Sequence, residues 1–258
     1  MSRVRDLHAA LRSSHLGLAD AVVPMTADQL MERSYCQDWT IAQLLSHLGS
    51  GAEIFGLFLE SGLSGGAPPD RDASALVWDR WNAMTPGEQA SGCLAADIVF
   101  LERLDGASDA ELDAVRLTMF GMPTDAARLL TMRLAEHAVH AWDVMVMNDP
   151  AASIAPDAVD GVLDNLEPVA GWTAKPGGLI LEAEVIASEP ARALRLSVGD
   201  VVTLSPAGAE ARPAAEVRMP AESLIRLVYG RLDPDHTPTT VSTVGVELDT
   251  LRALFPGV

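Results

Sequence analysis

Apolar residues recur at helical spacing from the start of the chain. Val4, Leu7, Leu11 and Leu18 fall on one side of a first helix, with Leu16 and Val22 read onto the same side, and Pro24 ends it. Asp38-Trp39-Thr40 is a start signal for a second helix carrying Ile41, Leu44, Leu45 and Leu48. The Gly- and Pro-rich stretch from Ser61 to Asp70 predicts a loop, and Thr85-Pro86-Gly87-Glu88 opens a further helix with proline in its first turn. Gly121-Met-Pro-Thr124 leads into a long helix, capped by Thr124 or Asp125, that fades at Asn148-Asp-Pro150. Leu129, Leu130, Met132, Leu134, Val139, Trp142, Val144 and Met145 make that helix apolar nearly all round, as a buried bundle helix is. The first part of the chain therefore predicts a four- or five-helix bundle.

A helix from Pro156 to about Trp172 is expected next, and after the Lys175-Pro-Gly-Gly178 turn the period changes. Leu179–Ile186, Ala193–Val198, Val201–Leu204 and Ala214–Met219 have strand composition, with Gly199-Asp200 as a hairpin turn. Pro220 to Tyr229 reads as a helix closed by Gly230, followed by a strand over Thr240–Val244 and a helix over Leu248–Phe255. The fold class is α+β, with expected domains 1–152 and 153–258.

Length and composition narrow the function classes. The chain has 258 residues, enough for one large or two ordinary domains. No apolar run approaches the roughly 18 to 20 residues needed to span a bilayer, and the first residues lack a signal-peptide apolar stretch, so a cytoplasmic location is expected. A net charge of −18 argues against nucleic acid or an anionic membrane as partner. The two cysteines, Cys36 and Cys93, stand in no metal-ligating spacing.

Candidate chemistry concentrates in two helical motifs, Trp39–Leu48 with His47 and Arg133–Asp143 with Glu136 and His140. Glu136 and His140, four apart, leave one helix face a turn apart and can converge on one point. As a surface pair they would contribute only a few tenths of a kcal/mol. On a buried helix, however, an unpaired carboxylate is costly and calls for a cation. If His47 reaches the same point, two nitrogens and one oxygen leave a fourth tetrahedral position open, the arrangement of a catalytic rather than a structural zinc. His137 is read as structural. Asp143 is read as a partner behind the ligands or an exposed acid near the helix end, and Arg80, in Trp78-Asp-Arg-Trp-Asn82, as a second candidate catalytic cation.

These motifs, with Leu227-Val-Tyr-Gly-Arg231 and Leu254-Phe-Pro-Gly257, resemble the mycothiol-dependent maleylpyruvate isomerase family over nearly the whole chain. The resemblance implies a DinB-like metal-binding helix bundle followed by a small sterol-carrier-like α+β domain. It implies His47, Glu136 and His140 as metal ligands, zinc or another divalent metal as the ion, and Arg231 as an arginine of the second domain that serves the site. It also implies mycothiol, or a similar low-molecular-weight thiol, as cosubstrate for a small electrophile. The outcome expected is transfer of the thiol to that electrophile. The alternatives are cis-trans isomerisation of the maleylpyruvate type, hydrolysis by a metal-bound water, and a metal-stabilised small-molecule binding module without turnover.

Overall fold

The structure, a computed structural model, describes residues 2–36, 38–208 and 213–257. It divides into two compact units, residues 1–158 and 159–258.

The first unit holds α1 (Arg3–Val22), α2 (Ala27–Leu30), α3 (Ile41–Ser64), α4 (Arg71–Asn82), α5 (Pro86–Gly106), α6 (Asp109–Ala114), β1 (Leu117–Met119), β2 (Met122–Thr124), α7 (Ala126–Met145) and the start of α8 (Pro156–Leu163). α1, α3, α5 and α7 pack as a bundle, with α4 laid against α3. Four of the helix starts are capping boxes: Thr26 with Gln29, Thr40 with Gln43, Thr85 with Glu88, and Ser108 with Glu111. Each satisfies two of the amide groups that a helix start leaves open. Asp125, not Thr124, caps α7 through the Arg128 amide.

Three local expectations change. Leu16 is exposed rather than part of the buried side of α1, because two positions from Leu18 is about 200° around the helix. The loop expected from Ser61 begins only at Gly65, which takes φ 68° at the end of α3. Gly62 stays helical because a Cβ there would stand 2.7 Å from the Val115 side chain, so the glycine serves close packing rather than a turn. The approach to α7 is a two-stranded hairpin, β1 with β2, turning at Phe120 and Gly121, both at positive φ.

In the second unit the expected helix over 156–172 is broken into α8 and α9 (Leu166–Thr173). Pro168 explains the break: it has no amide to donate, and its ring would collide with the Asp164 carbonyl in a continuous helix. The five-stranded sheet is built from β3 (Leu181–Ser188), β4 (Arg192–Val198), β5 (Val202–Pro206), β6 (Ala215–Pro220) and β7 (Ser242–Val244), in the order β5-β4-β3-β6-β7. β3 pairs antiparallel with β4 and parallel with β6. Ala183, Val185 and Ala187 alternate onto one buried face of β3, and Val217 and Met219 do so on β6. α10 (Ala221–Val228) packs on β6 and β3, α9 packs on β5, and α11 (Leu248–Leu254) closes the chain. Gly230 ends α10 at φ 76°, where a Cβ would lie 2.3 Å from the Gly257 backbone, so the two glycine-bearing C-terminal motifs meet in space.

Candidate metal site

Thr40 caps α3 and sets where the helix begins, which places His47 two turns in. α7 presents Glu136 and His140 one turn apart. One ligand atom from each of the three lies within 4.8 Å of the others. His47 Nε2 stands 3.3 Å and His140 Nε2 3.9 Å from Glu136 Oε2. Ligands about 2.1 Å from a tetrahedral ion stand about 3.4 Å from one another, so the spacing suits a small divalent cation.

The proton inventory points the same way. His140 Nδ1 lies 2.8 Å from Asp143 Oδ2, and Asp143 is wholly buried. Donation to that carboxylate fixes the Nδ1–H tautomer and leaves the Nε2 lone pair facing the Glu136 carboxylate. Two electron-rich atoms facing each other are stabilised by a cation between them. The donor set fits zinc or another borderline divalent metal.

Glu136 departs from one expectation, since 45% of its side chain is accessible. The helix is buried, but the carboxylate faces outward, where a small molecule can reach it. Burial tends to raise its pKa; the His47 hydrogen bond, His140 and Arg133 outweigh that and hold it below the usual value.

Trp39 lies against both imidazoles, with ring centroids 5.1 Å from His47 and 6.4 Å from His140. Cys36 donates its thiol to Asp143 Oδ2 across 3.1 Å. With His140 and Cys36 both on that oxygen, Asp143 is committed to orienting a ligand. This removes Asp143 as the general base that the hydrolytic reading would need. Among the sequence alternatives for Asp143, the structure selects the partner behind the ligands.

His137 is structural, as expected, within a cluster that sequence reasoning did not assemble. Asp97 of α5 accepts from Arg133 at 2.5 Å, lies 3.0 Å from His137 Nε2 and 3.4 Å from His15 Nδ1, and His137 Nδ1 reaches Ser14 Oγ at 2.8 Å. Arg133 already neutralises the carboxylate, so this second His/Asp group has no charge left to offer a metal. A buried arginine beside an apolar helix was the available signal, but nothing along the chain pointed to Asp97 as its partner.

Two candidates remain, one in each unit. Arg80 of α4 is exposed and forms an ion pair with Glu53 of α3. Arg231 belongs to the second unit, where it is buried and donates to the Tyr229 carbonyl. The loop that follows it is fastened by Arg226, bonded to the carbonyls of Arg231 and His236, and by Arg252, bonded to the Leu232 carbonyl.

A capped helix bundle carrying an open two-histidine, one-carboxylate group, followed by a small α+β unit, defines a class of two-domain proteins with a candidate catalytic metal site. Residues 11–145 match the family profile described as the mycothiol maleylpyruvate isomerase N-terminal domain, and residues 153–255 match that of the corresponding C-terminal domain. The chain belongs to the mycothiol maleylpyruvate isomerase family, and the expectation of an enzyme agrees with that membership. Its fold is similar to the crystal structure of the mycothiol-dependent maleylpyruvate isomerase, with 13% identity, a TM-score of 0.65, and coverage of 93% of this chain and 92% of that one. The crystal structure of a variant of that isomerase, with one histidine replaced by alanine, matches equally well. No curated protein sequence matches the chain. Among the described residues, no helix is long and apolar enough to cross a membrane.

Proposed function

We propose that this protein is a thiol-dependent cis-trans isomerase of the maleylpyruvate isomerase type, with mycothiol or a similar low-molecular-weight thiol as cosubstrate and a divalent metal, zinc by its donor set, held by His47, Glu136 and His140. The observation that carries the reading is the convergence of those three side chains, with His140 oriented by Asp143, in a chain that carries both domains of the family. Isomerisation now stands ahead of the thiol transfer favoured from sequence, because both halves of the chain belong to a family named for the isomerase.

A divalent metal bound there would hold the cosubstrate as its thiolate, the nucleophilic form of a group whose free pKa is about 8.5. The sulfur adds to one carbon of a cis double bond conjugated to a carbonyl, and the electron pair moves to the carbonyl oxygen. The former double bond is now single and rotates. The electron pair then returns, re-forms the double bond in the trans geometry and expels the thiolate, so nothing is consumed. Glu136 and His47 fix the position of the site, and Asp143 keeps the proton on His140 Nδ1. Arg231 enters this proposal on the family resemblance alone, as a cation for a carboxylate or enolate oxygen of the substrate. Arg80, ion-paired with Glu53 at the surface, is assigned no role in it.

Elemental mass spectrometry of the purified protein, followed by incubation with mycothiol and maleylpyruvate, tests the reading. About one zinc per chain and isomerisation that needs both metal and thiol are the expected results. Full metal with conversion that proceeds equally without thiol overturns it. Consumption of the thiol into a stable adduct returns the function to transfer.

A further inference from the structure

We infer that Trp39 is a binding residue for the thiol cosubstrate, its indole forming the wall on which the ring portion of a carbohydrate-bearing thiol packs. The inference rests on the thiol-dependent reading above and adds where selectivity for one kind of thiol arises.

Trp39 immediately precedes Thr40, the cap of α3, and its backbone is held on both sides. Its amide donates to the Cys36 carbonyl at 2.8 Å, and its carbonyl accepts from both the amide and the hydroxyl of Ser34 at 3.0 Å. The side chain therefore projects from a fixed point. Its ring lies tilted against His47 and within reach of His140, so it borders the position where a thiol sulfur would sit. The indole is only partly covered, unlike that of Trp81 at 1% exposure. Trp39 is 37% exposed, and its Nε1–H has no hydrogen-bond partner among the described residues, as is also true of the buried Trp81.

An exposed aromatic face with an unused donor beside a metal site suits a ligand that presents C–H groups and hydroxyls together, which is the surface of a sugar or polyol ring. Mycothiol joins a cysteine thiol to such rings, whereas N-acetylcysteine carries the thiol without them. The indole lies 5.1 Å from the His47 ring, centroid to centroid, so the part of the ligand beyond the sulfur is what would reach it.

The experiment uses the zinc-loaded full chain and its Trp39→Ala and Trp39→Phe variants, each titrated with mycothiol and with N-acetylcysteine by calorimetry, with zinc content measured in parallel. Trp39→Ala is expected to retain zinc, to bind mycothiol about tenfold more weakly and to bind N-acetylcysteine as the parent does, with Trp39→Phe in between. Loss of zinc, or equal weakening toward both thiols, would show that Trp39 only supports the histidines and overturns the inference. Equal affinity of the parent for the two thiols overturns the inference while leaving the thiol-dependent reading in place. A zinc-loaded parent that binds neither thiol overturns both.

Discussion

His140 and Asp143 share a 2.8 Å hydrogen bond within one helix turn, and the accepting carboxylate has no exposed surface. An imidazole held this way cannot rotate its Nε2 away from Glu136 without breaking a charge-assisted bond. Replacing Asp143 by Asn removes the charge and leaves the side chain free to present its amide nitrogen to the ring. We expect zinc affinity to fall about 10- to 100-fold with the fold retained, measured by competition with a chromogenic chelator. Unchanged affinity would contradict the role given to Asp143.

Asp97 is the carboxylate on which Arg133, His137 and His15 converge in the bundle core. Asp97→Ala leaves a buried guanidinium without its counter-charge, and unfolding in urea should show a loss of about 3 to 5 kcal/mol. Asp97→Asn, which keeps an acceptor, should lose less. A loss below about 1 kcal/mol for the alanine variant would mean that solvent reaches Arg133 readily.

Acid should weaken the fold in two stages. Burial holds the pKa of His8 and of His137 below the ordinary value. A depressed histidine contributes stability that is full above the unfolded-state value of about 6.5 and is lost as pH falls toward the folded one. Asp97, although burial opposes its charge, is held far below the usual carboxylate range by His137 and Arg133. Its contribution is therefore full above the unfolded-state value of about 3.9 and is lost progressively as the pH falls below it. Thermal midpoints recorded from pH 8 to pH 3 should fall first below about pH 6.5 and again at the acid end, with His8→Gln reducing the first decline. A flat profile between pH 7.5 and 5 would refute the assignment.

Gly230 admits no side chain, since its φ of 76° disfavours one and a Cβ there would stand 2.3 Å from the Gly257 backbone. Gly230→Ala should destabilise the second unit by at least about 1 to 3 kcal/mol, the cost of the strained backbone alone. Limited proteolysis should then cut within 159–258 while leaving the helix bundle intact. Equal resistance in variant and parent would show that the C-terminal turn can open without penalty.

The two cysteines should separate cleanly by reactivity. Cys93 is fully buried, and burial pushes its thiol pKa well up, whereas Cys36 is half-buried. Iodoacetamide applied to the native protein should label Cys36 alone, as read by peptide mass mapping, and both after denaturation. Labelling of Cys93 in the native state would indicate that α5 loosens.

What could be read along the chain was whatever depends on neighbours a few residues apart. The four-residue spacing of Glu136 and His140, the cap ahead of His47 and the strand composition of 179–186 and 193–198 are of that kind, and they place the site and the sheet. Pro168 also carried its message locally, although the apolar pattern around it obscured the break between α8 and α9. The Asp97 cluster was not legible, because its partners stand 36, 40 and 82 positions away and only packing brings them together. Gly62 misled for the complementary reason: the same residue type serves turns and close helix packing, and only the Val115 side chain decides between them.

The 2.8 Å contact between Ser14 and His137 spans 123 positions. During synthesis the first helix emerges with its buried hydroxyl unpartnered, and although α5 covers part of its apolar side, the larger part is not covered until the last bundle helix has been made. At about 5 to 20 residues per second, that delay is on the order of ten seconds. For that interval the growing chain carries an apolar helix side whose main partner does not yet exist.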